Sequence, residues 1–200
     1  MTRSFVDIFS EGGPFIIAEE AAFRAWPGAR GWDATLAELA APGGVVERDG
    51  ARWIFFDPED PGPVLVGWTG RSLIVARWSS HGQPVRLADL DEAGRVALDA
   101  ALARSRAEAP EIEELGTVEL TDGVLVIAWA AYGGADLVDE RAAVEALAST
   151  EPRQTRRYRG GGPGLTAVRV PPGRYAVRAA FEQYDDAGEV GGSWLALDPA

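Results

Sequence analysis

The 200-residue sequence contains no cysteine, no lysine and no asparagine, and only one histidine. Without Cys there is no disulfide framework and no thiolate to act as nucleophile or ligand. Any Ser-His-Asp triad would have to use His81, and no Gly-x-Ser-x-Gly elbow presents a serine to it. One His and no Cys leave carboxylates as the metal ligands, a poor set for zinc. The acidic stretch Asp57-Pro58-Glu59-Asp60-Pro61-Gly62 differs from a calcium loop in its prolines and in lacking the distal glutamate. Gly160-Gly161-Gly162-Pro163-Gly164 has neither the spacing nor the Lys-Ser/Thr ending of a phosphate loop. Paired carboxylates could serve a glycosidase, but 31 acids guarantee accidental pairs. The expectation is a non-enzyme with no catalytic residue, no metal and no cofactor.

No run of about 18 apolar residues is present to span a membrane, and Met1-Thr2-Arg3-Ser4-Phe5-Val6-Asp7 lacks the apolar core of a signal peptide. A cytoplasmic protein without a membrane partner is expected. All 19 basic residues are Arg, and 31 acids bring the net charge to −12, which argues against nucleic acid as a partner. The charge is uneven. Residues 153 to 178 hold seven Arg and no acid, leaving 12 Arg against 31 acids, or −19, elsewhere.

What is present is globular: 46% hydrophobic and 25% charged residues, enough for a core in a single domain spanning 1–200. Val64 to Trp78 reads as a central hairpin, two β-branched and aromatic runs about Thr69-Gly70-Arg71, with the second arm apolar enough to be covered on both faces. Further hairpins are expected at 5–18, 45–56 about Asp49-Gly50, 113–131 about Asp122-Gly123, and 165–181, with a last strand at Ser193 to Leu197. Short helices are expected from Glu19 and from Asp33 to Ala40, a longer one over 89–107 with Asp89 and Glu92 as capping pair, and another over Asp136 to Ser149. Ser79 to Val85 and Arg153 to Gly164 read as loops. The expected fold class is therefore α+β, antiparallel or mixed sheets built from hairpins with three or four helices.

The order also contains a pattern of repetition. Glu11-Gly12-Gly13-Pro14-Phe15-Ile16-Ile17-Ala18 parallels Thr121-Asp122-Gly123-Val124-Leu125-Val126-Ile127-Ala128, and Gly70-Arg71 parallels Gly173-Arg174. Halves 1–86 and 111–200, joined by helix 89–107, would then be pseudo-repeats. The alternative is that any two buried hairpins look alike under period-two patterning.

The Ser10 to Ala18 stretch followed by Trp26, the Leu73 to Trp78 strand, the Thr121-Asp122-Gly123-Val124-Leu125 turn and Val170-Pro171-Pro172-Gly173-Arg174-Tyr175-Ala176-Val177-Arg178 together resemble the immunity protein 21 family. The resemblance implies a bacterial protein that neutralises the cognate toxin of a polymorphic toxin system by binding it. An acidic inhibitor would be steered toward a basic toxin. The candidate partner-binding residues are loop acids, Asp57, Glu59, Asp60, Asp185, Asp186 and Glu189. A small-molecule or peptide binding β-rich module without catalysis is the alternative.

Overall fold

The computed structural model describes residues 5–31, 43–58, 61–109, 111–121, 123–134, 153–154, 164–184, 188 and 190–200. Of these, 56% lie in strands and 19% in helical turns, with two α-helices. The α+β expectation with three or four helices is thereby corrected to a mostly antiparallel β fold. Among the described residues only the segment near 89–107 folds as a long helix, over Glu92–Glu108, whereas Leu87–Asp89 makes a single 3-10 turn. The helices expected at 33–40 and 136–149 fall outside the described residues.

The strands are β1 (Val6–Ser10), β2 (Phe15–Glu19), β3 (Gly43–Arg48), β4 (Ala51–Phe56), β5 (Gly62–Thr69), β6 (Ser72–Ser80) and β7 (Gln83–Pro84), followed by β8 (Glu113–Leu120), β9 (Val124–Trp129), β10 (Arg153–Gln154), β11 (Leu165–Arg169), β12 (Gly173–Tyr184) and β13 (Val190–Pro199). Helix α1 (Glu20–Arg24) follows β2, and α2 (Glu92–Glu108) separates β7 from β8. The first sheet runs β1-β5-β6-β13-β12-β8 with β7 beside β6, and the second runs β10-β11-β9-β2-β4-β3.

Each order reads the same when β1 to β6 are exchanged with β8 to β13 in sequence, leaving β7 aside. In the second sheet the exchange is centred on Ile17 facing Ile127, so that Phe15 facing Trp129 becomes Leu125 facing Glu19. In the first sheet Leu73 faces Leu197 and Val75 faces Leu195. Ser10 faces Gly62 as Leu120 faces Gly173, and these two glycines share an unusual backbone, φ 144° and 148°. Gly173 therefore corresponds in position to Gly62, whereas the sequence comparison aligned it with Gly70. Both sheets draw strands from both halves.

The sheets pack face to face. Val64, Val66, Leu73, Val75, Leu195 and Leu197 of the first meet Phe15, Ile17, Ile54, Phe56, Leu125 and Ile127 of the second in one buried cluster. Burial on both faces explains why β5, β6 and β13 read as continuous apolar runs. The outer face of the first sheet, with Leu65, Ile74, Trp78 and Trp194, is covered by Leu98 and Leu102 of α2. Trp78 is buried as expected of the central hairpin, while Trp68 is half-buried at the margin. On the outer face of the second sheet, Phe23 of α1 and Trp26 pack on Trp53 and Phe55, and the Trp26 indole donates to Ala130 O at 2.8 Å.

Local chemistry departs from expectation in two places. Asp91, not Asp89, caps α2, accepting from Gly94 N at 2.8 Å. The expected loop at 79–85 is a tight hairpin between β6 and β7, with His81 (φ 51°) and Gly82 (φ 71°) both in the left-handed region that a two-residue turn of this kind requires.

A polar cluster fastens α2 to the first sheet. Asp198 Oδ1 accepts from Arg106 Nη2 at 2.6 Å and from the Ser72 hydroxyl, and Oδ2 accepts from Arg178 Nε at 2.8 Å. Burial alone would raise the Asp198 carboxyl, but the hydrogen bonds from Ser72 and Arg178 and the charges of Arg106 and Arg178 outweigh it and hold it below the ordinary Asp value. Asp198→Asn should lower stability by about 1–3 kcal/mol at neutral pH. Because the folded carboxyl titrates below its unfolded value, the wild-type advantage is present above the unfolded pKa and shrinks as pH falls through the folded one. Urea denaturation of both proteins from neutral to acidic pH measures it, and a pH-independent difference would contradict the assignment.

Candidate functional site

At one end of the sandwich, where β2 turns into α1, three segments leave a cleft of about 550 Å³ between them. These are the β2–α1 junction, the β3–β4 hairpin and the end of β8. Its floor reaches the inter-sheet core at Ile17, Ile54, Val118, Leu120 and Leu125. Its walls are short: Ala18, Ala21, Ala22, Ala25 and Ala51. Glu19, Glu47 and Asp49 line it with one cation, Arg52; Glu119 also borders it, but it is exposed between the buried Val118 and Leu120 and faces Arg174 across the β8–β12 pair.

The carboxylates are not equivalent. Glu19, the last residue of β2, accepts from the backbone N–H of Thr121 and from its hydroxyl at 3.2 Å, tying the β8–β9 turn to β2. Glu47 accepts from Arg52 Nε at 3.0 Å across the β3–β4 hairpin. Among the described hydrogen bonds and ion pairs, none engages the carboxylate of Asp49 or of Glu119. Asp49 and Gly50 have φ of 53° and 77°, the pair of left-handed residues that the Asp-Gly turn signal predicts. The turn thus holds the Asp49 side chain at the cleft by backbone geometry, with no partner required.

The pseudo-symmetric position carries aromatic side chains. Glu19 corresponds to Trp129, and Ala22, three residues beyond Glu19, corresponds to Tyr132, three beyond Trp129. The two aromatic rings meet edge to face at 5.7 Å, and the Trp129 indole donates to Gly12 O at 2.7 Å, as Glu19 accepts from Thr121 on the other side. Gly164 presses so closely that an added Cβ would lie 2.5 Å from the Tyr132 ring. Burial, and then the charge of Glu11, raise the Tyr132 phenol above its ordinary value. Among the described residues, one end of the molecule carries indole and phenol where the other carries alanine and carboxylate.

A second groove of about 740 Å³ lies between the last turns of α2 and the end of the β12–β13 hairpin, lined by Trp78, Arg104, Glu108, Glu182 and the exposed Tyr184. A bulge shapes it. Glu182 sits at φ 51° with its N–H donating to Ser193 Oγ at 3.0 Å. Its charged residues are Arg104, Glu108 and Glu182, so acids are less in excess there than at the cleft.

Of the loop acids chosen from sequence, Asp57 is half-buried just after β4 and does not line the cleft. Glu59, Asp60, Asp185, Asp186 and Glu189 fall outside the described residues. Glu19, Glu47, Asp49 and Glu119 were missed because each has a ready local role: helix start, cross-strand pair, turn residue, edge strand. The available signal was the contrast between Glu19-Glu20-Ala21-Ala22 and Trp129-Ala130-Ala131-Tyr132 in otherwise parallel stretches. Among the described residues no group of three or more His, Cys, Asp or Glu is placed to hold a metal ion. The strained position of Asp49 gives a test of the turn. Asp49→Asn should fold like wild type because Asn tolerates the left-handed region, whereas Asp49→Val should lose about 1–2 kcal/mol in urea denaturation. Equal stability of the two variants would show that the turn is not held in this form. Comparison of the chain with family models, with curated proteins and with solved structures finds no match.

Proposed function

We propose that the chain is an immunity protein that binds a cognate bacterial toxin and neutralises it by occupying a basic region of its surface. The observation that supports this most is the cleft. It joins an apolar floor to an acidic rim in a chain of net charge −12, a combination suited to a basic protein surface. The surrounding elements are strands, the short helix α1 and a tight turn, so the binding groups are held on rigid supports. The family resemblance of the Ser10 to Ala18 and Val170 to Arg178 stretches points the same way. The reading needs no catalytic group, no cofactor and neither nucleic acid nor membrane as partner, and it places the protein in the cytoplasm. No helix among the described residues is long and apolar enough to cross a membrane.

A small-molecule site is the second reading. The cleft volume lies within the range of about 300–1,000 Å³ usual for ligand pockets. Both readings place the contact in the same cleft, and they differ in whether the occupant belongs to a protein.

Co-expression with the product of the adjacent gene, the expected place of a cognate toxin, tests the proposal. The intact chain should protect cells and co-purify with the toxin, and the association rate should fall steeply as salt is added, because steering between opposite charges is screened beyond about 8–10 Å at physiological ionic strength. Cell death with both proteins soluble would contradict the immunity reading. A salt-independent association rate would remove the electrostatic part of it.

A further inference from the structure

We propose that β8 is an open sheet edge on which an extended segment of the partner protein adds itself as a further strand, with basic residues facing Glu114 and Glu119. This rests on the reading of the chain as a protein-binding module and specifies the form and chemistry of what it binds. Among the described residues β8 is paired on one side only, by β12, and so ends the first sheet. Five of its eight residues are exposed: Glu113, Glu114, Gly116, Thr117 and Glu119. Gly116 has only backbone to expose, and a Cβ built on it would meet nothing nearer than Val45 Cγ2 at 3.9 Å. Main-chain N–H and C=O groups along such an edge are a template for a guest strand.

Charge on the outer face of this sheet alternates from strand to strand. Tyr175 and Val177 of β12 and Leu195 and Leu197 of β13 point into the core, so Arg174, Arg178 and Asp198 stand on the opposite face. β13 contributes Asp198 and β12 contributes Arg174 and Arg178, with Arg178 Nε donating to Asp198 Oδ2 at 2.8 Å. β8 supplies acids again, in register: Glu119 faces Arg174 and Glu114 faces Arg178. The next place in that order, beyond β8, belongs to cations, because opposite charges directly across a strand pair attract. Thr117, which faces Ala176, lies between the two glutamates. A guest that matches this edge carries basic, neutral and basic residues at alternate positions.

The same glutamates decide between occupants. A charged edge with a bulge commonly keeps strands of other copies away. Here the charge is of one sign, so it does this selectively. A second β8 laid antiparallel on the first with full overlap would bring Glu114 against Glu119, whereas a basic strand meets attraction at both. The pseudo-symmetric edge is different: β1 has no exposed residue, and its Asp7 carboxylate accepts from Leu87 N at 3.1 Å. The end of β8, from Val118 onward, also borders the cleft, so one partner can engage both.

The test uses the full chain and a blocked peptide of sequence Arg-Val-Thr-Val-Arg-Val. At low salt it should produce saturable shifts of the Gly116, Thr117 and Glu119 amide resonances and slow the hydrogen exchange of the β8 amides that point away from β12. N-methylation of the peptide bonds keeps the charge and removes the main-chain donors, and should weaken binding about tenfold or more. Replacing both arginines by glutamine should weaken it about threefold or more. The Glu114→Gln, Glu119→Gln double variant should lose the preference for the arginine peptide over the glutamine one. If that variant fails to fold, the three peptides decide alone. No saturable shift, equal binding of the N-methylated or the glutamine peptide, or an undiminished arginine preference in the variant would overturn the inference. A dimer of the chain that protects the β8 amides would overturn the choice of occupant. The toxin assay separates the two claims. Peptide binding as expected, without protection of cells against the product of the adjacent gene, would leave β8 standing as a docking edge and remove the immunity reading. Protection by a chain whose β8 binds none of the peptides would do the reverse.

Discussion

The antiparallel pairing of β2 with β9, centred on Ile17 and Ile127, is the interaction on which the rest of the molecule depends. It sits in the middle of the second sheet and joins the two halves of the chain there, as β6 with β13 joins them in the first. Neither half can complete a sheet by itself in this arrangement, because each sheet takes its two central strands from different halves. The buried cluster between the sheets is accordingly shared, with Phe15 and Leu125, Val75 and Leu195 all in one continuous core. Burying both faces of a sheet removes the polar face that would otherwise mark register, so register must come from the turns. Those turns carry left-handed residues where they are needed: Gly13, Asp49-Gly50, Gly70, His81-Gly82 and Gly123.

Much of this was legible because turn chemistry is local. Asp49-Gly50 and the apolar arms about Gly70 announce hairpins from sequence alone, and the paired strands Val45 to Arg48 and Arg52 to Phe56 follow. The mostly β character of the described residues was underweighted because a short amphipathic run satisfies a helical period over too few turns to be diagnostic, as the five-residue α1 shows. The hairpin at His81-Gly82 was hidden because His is not a usual left-handed residue, although it is one of the few that visits the region. The sheet order was not legible. Two runs such as Leu73 to Trp78 and Arg174 to Phe181 look alike under period-two patterning, yet the first corresponds in position to β13 and not to β12.

The candidate site was missed for a different reason. Loop acids draw attention because loops commonly carry function, but the cleft is built at strand ends, from residues with structural duties of their own. Glu19 ends a strand and ties down a turn, and Asp49 is held in place by its own backbone. Such residues become conspicuous only when the two ends of the sandwich are compared. Where the framework repeats, a departure from the repeat stands out: carboxylate and alanine where the other end has indole and phenol. Local departures from an otherwise consistent pattern are where function is expected to lie.

Paramagnetic relaxation of alanine methyl groups by small charged nitroxides tests the central claim most directly, since it reads both the openness and the sign of the cleft without any ligand. A cationic nitroxide should relax the methyls of Ala22 and Ala51 faster than an anionic one, by a ratio clearly above that at the exposed Ala103 on α2, which reports the general effect of the net negative charge. Equal ratios at the cleft and at Ala103, or methyls in the cleft that neither probe reaches, would contradict an open, cation-attracting site.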